Sequence, residues 1–229
     1  MELIELDRII LHFFNGSQSQ FLDGLVMAFT SGLTWIPLYV VLFYLVLKNN
    51  ETMAQIMLVI GCVALCILLT SGIDGGIVKP LVARCRPSND PQWKYTFDVV
   101  QGYRAAGFSF FSAHAANTMG VAVFFCFLIR SRMLSVTLVL WALLNGWTRL
   151  YLGLHYPSDV LVGWAFGALA GFLVYLLYRR MYYKISPKLN YISSQYTKTG
   201  YDHSDIDVVM TVLAFTLVYT LFRGIISNY

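Results

Sequence analysis

Met53–Ile73 reads MAQIMLVIGCVALCILLTSGI, 21 residues without a charge. An α-helix rises about 1.5 Å per residue, so this stretch covers the apolar core of a bilayer, roughly 30 Å thick. Outward from it, comparable apolar runs recur at 24–47, 113–129, 133–148, 159–178 and 207–226. The pattern predicts an all-α integral membrane protein with six transmembrane helices and both termini on one face. With 58% hydrophobic and 12% charged residues among 229, the composition lies outside that of soluble domains.

Pro37 falls inside the first run and predicts a kink there, which neighbouring helices can accommodate. Residues 3–14 mix Leu3, Ile4, Leu6, Ile9, Ile10, Phe13 and Phe14 with charges, a pattern that suits an N-terminal amphipathic helix lying in the interface or a lead-in to the first span. Glu2, Glu5, Asp7 and Arg8 take the place of a basic leader, so no removable signal peptide is expected. The polar stretch Lys184–Asp205 reads as a linker, and 1–229 as a single domain. Cys62 and Cys66 share a helix face inside an apolar run and read as core, as does Cys126. Gly163, Gly167 and Gly171 form a small-residue stripe that lets another helix approach closely.

In this topology 74–111 and 149–158 emerge on the face of the termini. Basic residues divide equally between the two faces, but Lys48, Arg130, Arg132, Arg179 and Arg180 abut helix ends in short connections, where positive charge marks the cytoplasmic side. Residues 74–111 are therefore expected outside. The net charge of +4 is diffuse and lacks an arginine-rich tract, which leaves no case for nucleic acid as partner.

Three clusters near helix ends carry possible chemistry, and each has a bland reading. Lys79-Pro-Leu-Val-Ala-Arg84-Cys-Arg86-Pro87 follows the second run and alone could be a headgroup anchor. Ser112-Ala113-His114 opens the third run: the serine suits a helix cap, the free N–H groups of the first turn attract anions, and the histidine can act as a general acid. Arg149 precedes His155-Tyr-Pro157-Ser-Asp159. Pro157 suits the first turn of a helix, which puts His155 at its edge and Asp159 one turn in. A carboxylate so placed can fix the tautomer of His155 and leave its other nitrogen free to attack. A His-x3-Asp pair can also hold a metal, but no further carboxylate or cysteine surrounds it. Taken together, cations, helix N-termini, an oriented histidine and a second histidine suit phosphoryl transfer, in which charge builds on non-bridging oxygens.

The three clusters resemble the motifs of the type 2 phosphatidic acid phosphatase (PAP2) superfamily: Lys-x6-Arg-Pro, Pro-Ser-Gly-His and Ser-Arg-x5-His-x3-Asp. The chain shows Lys79 with Arg86-Pro87, then Ser112-Ala113-His114, then Thr148-Arg149 with His155 and Asp159. The resemblance covers about residues 70–180. Phe111 replaces the motif proline, Ala113 the glycine and Thr148 the serine; no titrating group is lost. The resemblance implies a PAP2-type helical core in which His155 attacks phosphorus to form a phosphohistidine, Asp159 orients it and His114 protonates the leaving oxygen. Lys79, Arg86, Ser112 and Arg149 would hold the phosphate, with the backbone of Ala113 and His114 nearby; no metal or other cofactor is implied. Arg84, without a motif role, is left as a headgroup contact.

The resulting expectation is a lipid phosphatase of a bacterial inner membrane with its site facing the periplasm. Candidate substrates are undecaprenyl diphosphate, lipid A, phosphatidylglycerol phosphate and phosphatidic acid. Trp93, Tyr95, Phe97, Tyr103, Phe108, Phe110 and Phe111 suit the interface as a lid, a headgroup reader or simple anchors. Two alternatives remain: a vanadate-dependent haloperoxidase on the same motifs, against which the membrane frame argues, and a non-catalytic headgroup binder or transporter, which has no need of an oriented histidine.

Overall fold

A computed structural model describes residues 3–186 and 194–226. The linker at Lys184–Asp205 falls partly outside these residues, as do Glu2 and Lys188. Among the described residues nine α-helices follow one another: α1 (Leu3–Phe14), α2 (Gln20–Thr30), α3 (Ile36–Lys48), α4 (Met53–Ile73), α5 (Lys79–Val82), α6 (Ala113–Ile129), α7 (Arg132–Tyr151), α8 (Pro157–Ile185) and α9 (His203–Ile226). No strand forms among the described residues.

Four helices are long and apolar enough to cross a membrane: the continuous Met53–Val82 unit, α7, α8 and α9. The bent pair of α2 with Gly32–Lys48 makes a fifth span, while α6 is shorter, at 17 residues. Each of the six expected segments is thus helical, but the first is broken. Its bend of 63° falls at Ser31, ahead of Pro37. Pro37 sits in the first turn of α3, where a missing N–H costs nothing, so the expected proline kink is replaced by a break at Ser31. Carbonyls freed there are recaptured: Thr34 Oγ1 donates to Ala28 O at 2.6 Å, and Trp35 Nε1 to Phe29 O at 2.7 Å.

α6 and α8 share the most extensive interface in the bundle. The glycine stripe makes it: a Cβ at Gly167 would lie 2.2 Å from Ala116 O, one at Gly171 2.3 Å from Gly120 O, and one at Gly163 2.7 Å from Ser112 O. Backbone contact this close fixes the offset between the two helix N-termini. Ser112 N donates to Asp159 O at 3.0 Å, which ties the start of α6 to the start of α8. Cys62 and Cys66 pack in the main core with Phe124, Leu38 and Leu138, as expected for a structural pair.

α1 lies across the end of the bundle that carries the three motif clusters. Leu11 is fully buried against Phe97, Leu150 and Tyr156, whereas Ile9 and Phe13 face outward, Phe13 83% exposed. Two aromatics of the 74–111 connection clasp α1: Arg8 sits 3.9 Å over the Trp93 ring, and His12 stacks on Phe97 at 4.5 Å. Phe111 is buried against Phe166. Of the seven aromatics read as an interfacial set, Trp93, Phe97 and Phe111 therefore serve packing, while Tyr95, Tyr103 and Phe108 are exposed.

The α6–α8 contact yields a direct check. Gly167→Ala puts a methyl group into the Ala116 carbonyl, whereas Gly61→Ala, on α4, meets no atom within 4 Å. In detergent, Gly167→Ala is expected to melt earlier, by an amount equivalent to at least about 1–3 kcal/mol, and Gly61→Ala to match the wild type; equal melting of the two would contradict this packing.

Candidate active site

The start of α8 is built around a buried carboxylate. Pro157 occupies the first turn, and Asp159, fully buried, turns back so that Oδ2 accepts the Tyr156 N–H at 2.9 Å. An ionised carboxylate at that depth needs partners on all sides. Arg84 Nη1 reaches Oδ1 at 2.7 Å, Ser109 Oγ donates to Oδ2, and His155 Nδ1 stands 3.6 Å from Oδ2. The last distance is long for a hydrogen bond.

His155, 5% exposed, lies just outside α8. Its Nε2 accepts from Arg86 Nη1 at 3.0 Å. Because a guanidinium has only donors, Nε2 must present its lone pair, which puts the ring proton on Nδ1, toward Asp159 and Ser109. Ser109 Oγ is 3.4 Å from Nδ1. Burial pushes the His155 pKa down to about 4; the neighbouring Asp159 carboxylate opposes this, and the Arg86 and Arg149 charges reinforce it. The ring is neutral at pH 7.

Arg86 is held in place by its backbone surroundings: Nε donates to Ala106 O and Gly107 O, at 3.2 and 3.3 Å, and Nη1 also to Leu154 O at 3.1 Å. Burial pulls its pKa below the ordinary value, and the Asp159 and Asp74 charges counter this. Asp74 also pairs with Lys79. The two lie at either end of a π-helical turn, Asp74–Val78, whose i to i+5 spacing stacks them on one side. Lys79 is thus engaged by Asp74, a partner that sequence reading missed.

Arg149 and His114, whose charges act on His155, line a cavity of about 1050 Å³, while His155, Arg86 and Asp159 are not among its lining residues. It lies between the break at Thr30–Thr34 and one face of α9, roofed by Gln101 and Tyr103. Arg149 donates through Nη2 to Thr30 O at 3.2 Å and to the Thr30 hydroxyl, while its buried Nε has no partner. Thr30 in turn bonds Thr148, hydroxyl to hydroxyl at 3.0 Å. Ser112 caps α6, accepting from Ala115 N at 3.4 Å, and the half-buried Ala113 and His114 form the first turn.

The structure accordingly bonds His155, Asp159 and Arg86 into one cluster, ties Ser112 to Asp159 through the backbone, and puts His114 and Arg149 on the neighbouring wall. Arg84 is reassigned: with its forked donors on Asp159, Ser158 and Asp7, it is committed inside the protein and is not a free headgroup contact. Ser109 was missed because it belongs to no motif spacing; its only sequence signal is a serine among aromatics three residues ahead of Ser112. Among the described residues no group of three or more His, Cys, Asp or Glu gathers into a metal site.

A lipid A 4'-phosphatase of Bacteroides thetaiotaomicron is 40% identical over 181 residues, covering 78% of this chain and 80% of that protein. A lipid A 4'-phosphatase of Porphyromonas gingivalis is 27% identical, covering 77% of this chain and 74% of its own length. The crystal structure of a transmembrane PAP2-type phosphatidylglycerolphosphate phosphatase from Bacillus subtilis superposes with a TM-score of 0.61 at 23% identity, covering 82% of this chain and 89% of that one, and so shares the fold. The family model of the PAP2 superfamily matches residues 55–183, from the core of α4 nearly to the end of α8 and through all three motif clusters. With that match over more than half of its length, this integral membrane chain belongs to the PAP2 superfamily.

Proposed function

We propose that the protein removes a phosphate monoester from a lipid A-type glycolipid, at the periplasmic face of a bacterial inner membrane, through a phosphohistidine on His155. The observation that carries this reading is the buried neutral imidazole, with Nε2 facing a guanidinium and Nδ1 facing a carboxylate. Binding alone requires no such orientation. The glycolipid substrate is supported by the 40% identity to a lipid A 4'-phosphatase over most of both chains.

The chemistry follows from the geometry. A substrate phosphate takes over the Arg86 N–H now donated to Nε2, which frees that lone pair for in-line attack on phosphorus. As the P–N bond forms, the ring becomes cationic, and Asp159, held by Arg84, Ser109 and the Tyr156 N–H, stabilises that charge. Arg86, Arg149 and the first-turn N–H groups of α6 bind the non-bridging oxygens; Lys79 joins them by leaving Asp74. Arg149 is prepared for this role by its buried, unpartnered Nε. His114, on the same cavity wall as Arg149, takes up a proton as the anionic phosphate binds beside it and passes that proton to the sugar oxygen as it leaves. Water then attacks phosphorus, giving up a proton to His114; the P–N bond breaks, inorganic phosphate leaves, and His155 returns to its neutral form. The cavity between the broken span and α9 is lined by apolar groups such as Met27, Leu33 and Phe215, and gives the acyl chains a place beside the reacting phosphate.

Two outcomes check this reading. In detergent with EDTA, the wild type should release phosphate from lipid A faster than from phosphatidic acid or undecaprenyl diphosphate, and His155→Ala should lose at least about 10³-fold in kcat; turnover retained in the variant would sink the assignment. The acid limb of kcat/KM reports the free enzyme. Attack needs neutral His155, so activity falls only as pH drops through its pKa. After correction for substrate ionisation the limb should therefore lie near 4, well below the ordinary histidine value of about 6.5. A limb at 6.5 would contradict the buried, Arg86-facing ring.

A further inference from the structure

From the contacts of α1 we infer that Asp7 is a positioning residue for the reaction, acting through Arg84 on the carboxylate that orients His155. The inference rests on the site reading above. Asp7 is 5% exposed, although it lies on an N-terminal helix that packs against the outside of the motif-bearing bundle. Its carboxylate is fully engaged: Oδ1 accepts the Ser158 N–H at 2.9 Å, and Oδ2 accepts both the Ser158 hydroxyl and Arg84 Nη2, the latter at 2.7 Å. The opposite arm of the same guanidinium, Nη1, donates to Asp159 Oδ1 at 2.7 Å and to Ser158 Oγ at 2.8 Å.

A planar fork that touches two carboxylates and a serine has one orientation. Asp7 fixes that orientation, and Arg84 passes it to Asp159, whose second oxygen faces His155. The face of Arg84 lies 3.9 Å over the Tyr156 ring, which leaves the guanidinium no alternative pose in its plane. Charge balance points the same way. Arg84 brings one positive charge beside Asp159, and Asp7 cancels it. Without Asp7, Arg84 would draw Asp159 away from the imidazole and add to the field on His155, which already faces Arg86, Arg149 and His114 and is countered by Asp159. Asp159 would then be a weaker acceptor for the Nδ1 proton, and Nε2 a weaker nucleophile. The N-terminal helix is by this account a part of the reaction apparatus, although it lies before the residues matched by the family model.

The test compares Asp7→Asn, Arg84→Gln and His155→Ala in detergent on a lipid A substrate. Asp7→Asn keeps the shape and the acceptor for the Ser158 N–H, so α1 can still dock. It should lower kcat by roughly tenfold with KM within about twofold, since the contacts to substrate are untouched. Its acid limb should move down, and that of Arg84→Gln should move up, because the two changes alter the charge near His155 in opposite senses. A merely structural role for Asp7 would lower the melting temperature and leave both limbs in place, which would overturn the proposal; so would wild-type kcat in Asp7→Asn beside an inactive His155→Ala, with the site reading intact. Turnover in His155→Ala would instead overturn the site reading itself.

Discussion

A carboxylate buried without water must either be paired on every lone pair or give up its charge. Asp159 keeps its charge by collecting Arg84, Ser109, the Tyr156 N–H and the His155 ring around two oxygen atoms. The arrangement around it follows from that need. Arg84 is drawn inward, the loop bearing Ser109 is pinned by its N–H to Arg84 O at 2.8 Å, and the start of α8 receives a cap from the same side chain that orients the histidine. Structure and reactivity here share one group, so a change that frees Asp159 to relax should damage both.

The second constraint is the distance between two helix ends. His155 enters at the start of α8 and His114 at the start of α6, so any relation between the proposed nucleophile and the proposed acid depends on how those helices slide past each other. Three glycines of α8 bring the backbones into contact, and rows of carbonyls on α6 leave no room for a methyl group. The site is therefore set by backbone packing, which is stiffer than side-chain packing, and the cavity lined by His114 and Arg149 lies between the break in the first span and α9. That break is held by side-chain bonds to its own freed carbonyls and by Arg149, which spends donors on Thr30. One residue thus stabilises the break that shapes the cavity and lines that cavity.

Much of this was legible in the sequence because membrane helices announce themselves by length and charge, and because the motif spacings map onto helix geometry. Pro157 in the first turn and Asp159 two residues later predict the His155 arrangement almost without tertiary information. Pro37 misled because a proline marks equally well a kink or the first turn of a new helix; what decided was the pair Thr34 and Trp35 reaching back to carbonyls, which is a tertiary fact. Asp74, Ser109 and Asp7 were not legible as site groups. Each is polar and locally unremarked, and each acquires meaning only when the fold carries it against Lys79, Asp159 or Arg84. Arg84 was readable as a cation near the site, but its partners come from the chain's first helix and from α8, some 75 residues away in each direction.

The account stands on His155 Nε2 as the attacking atom. The most direct measurement is to mix the enzyme with lipid A carrying ³²P in its phosphate, quench in alkali within milliseconds, and map the label by mass spectrometry. The prediction is an alkali-stable, acid-labile phosphoryl group on His155 that forms and decays at rates compatible with turnover and is absent from His155→Ala. Label found on another residue, or steady turnover with no protein-bound phosphate at any time, would contradict it.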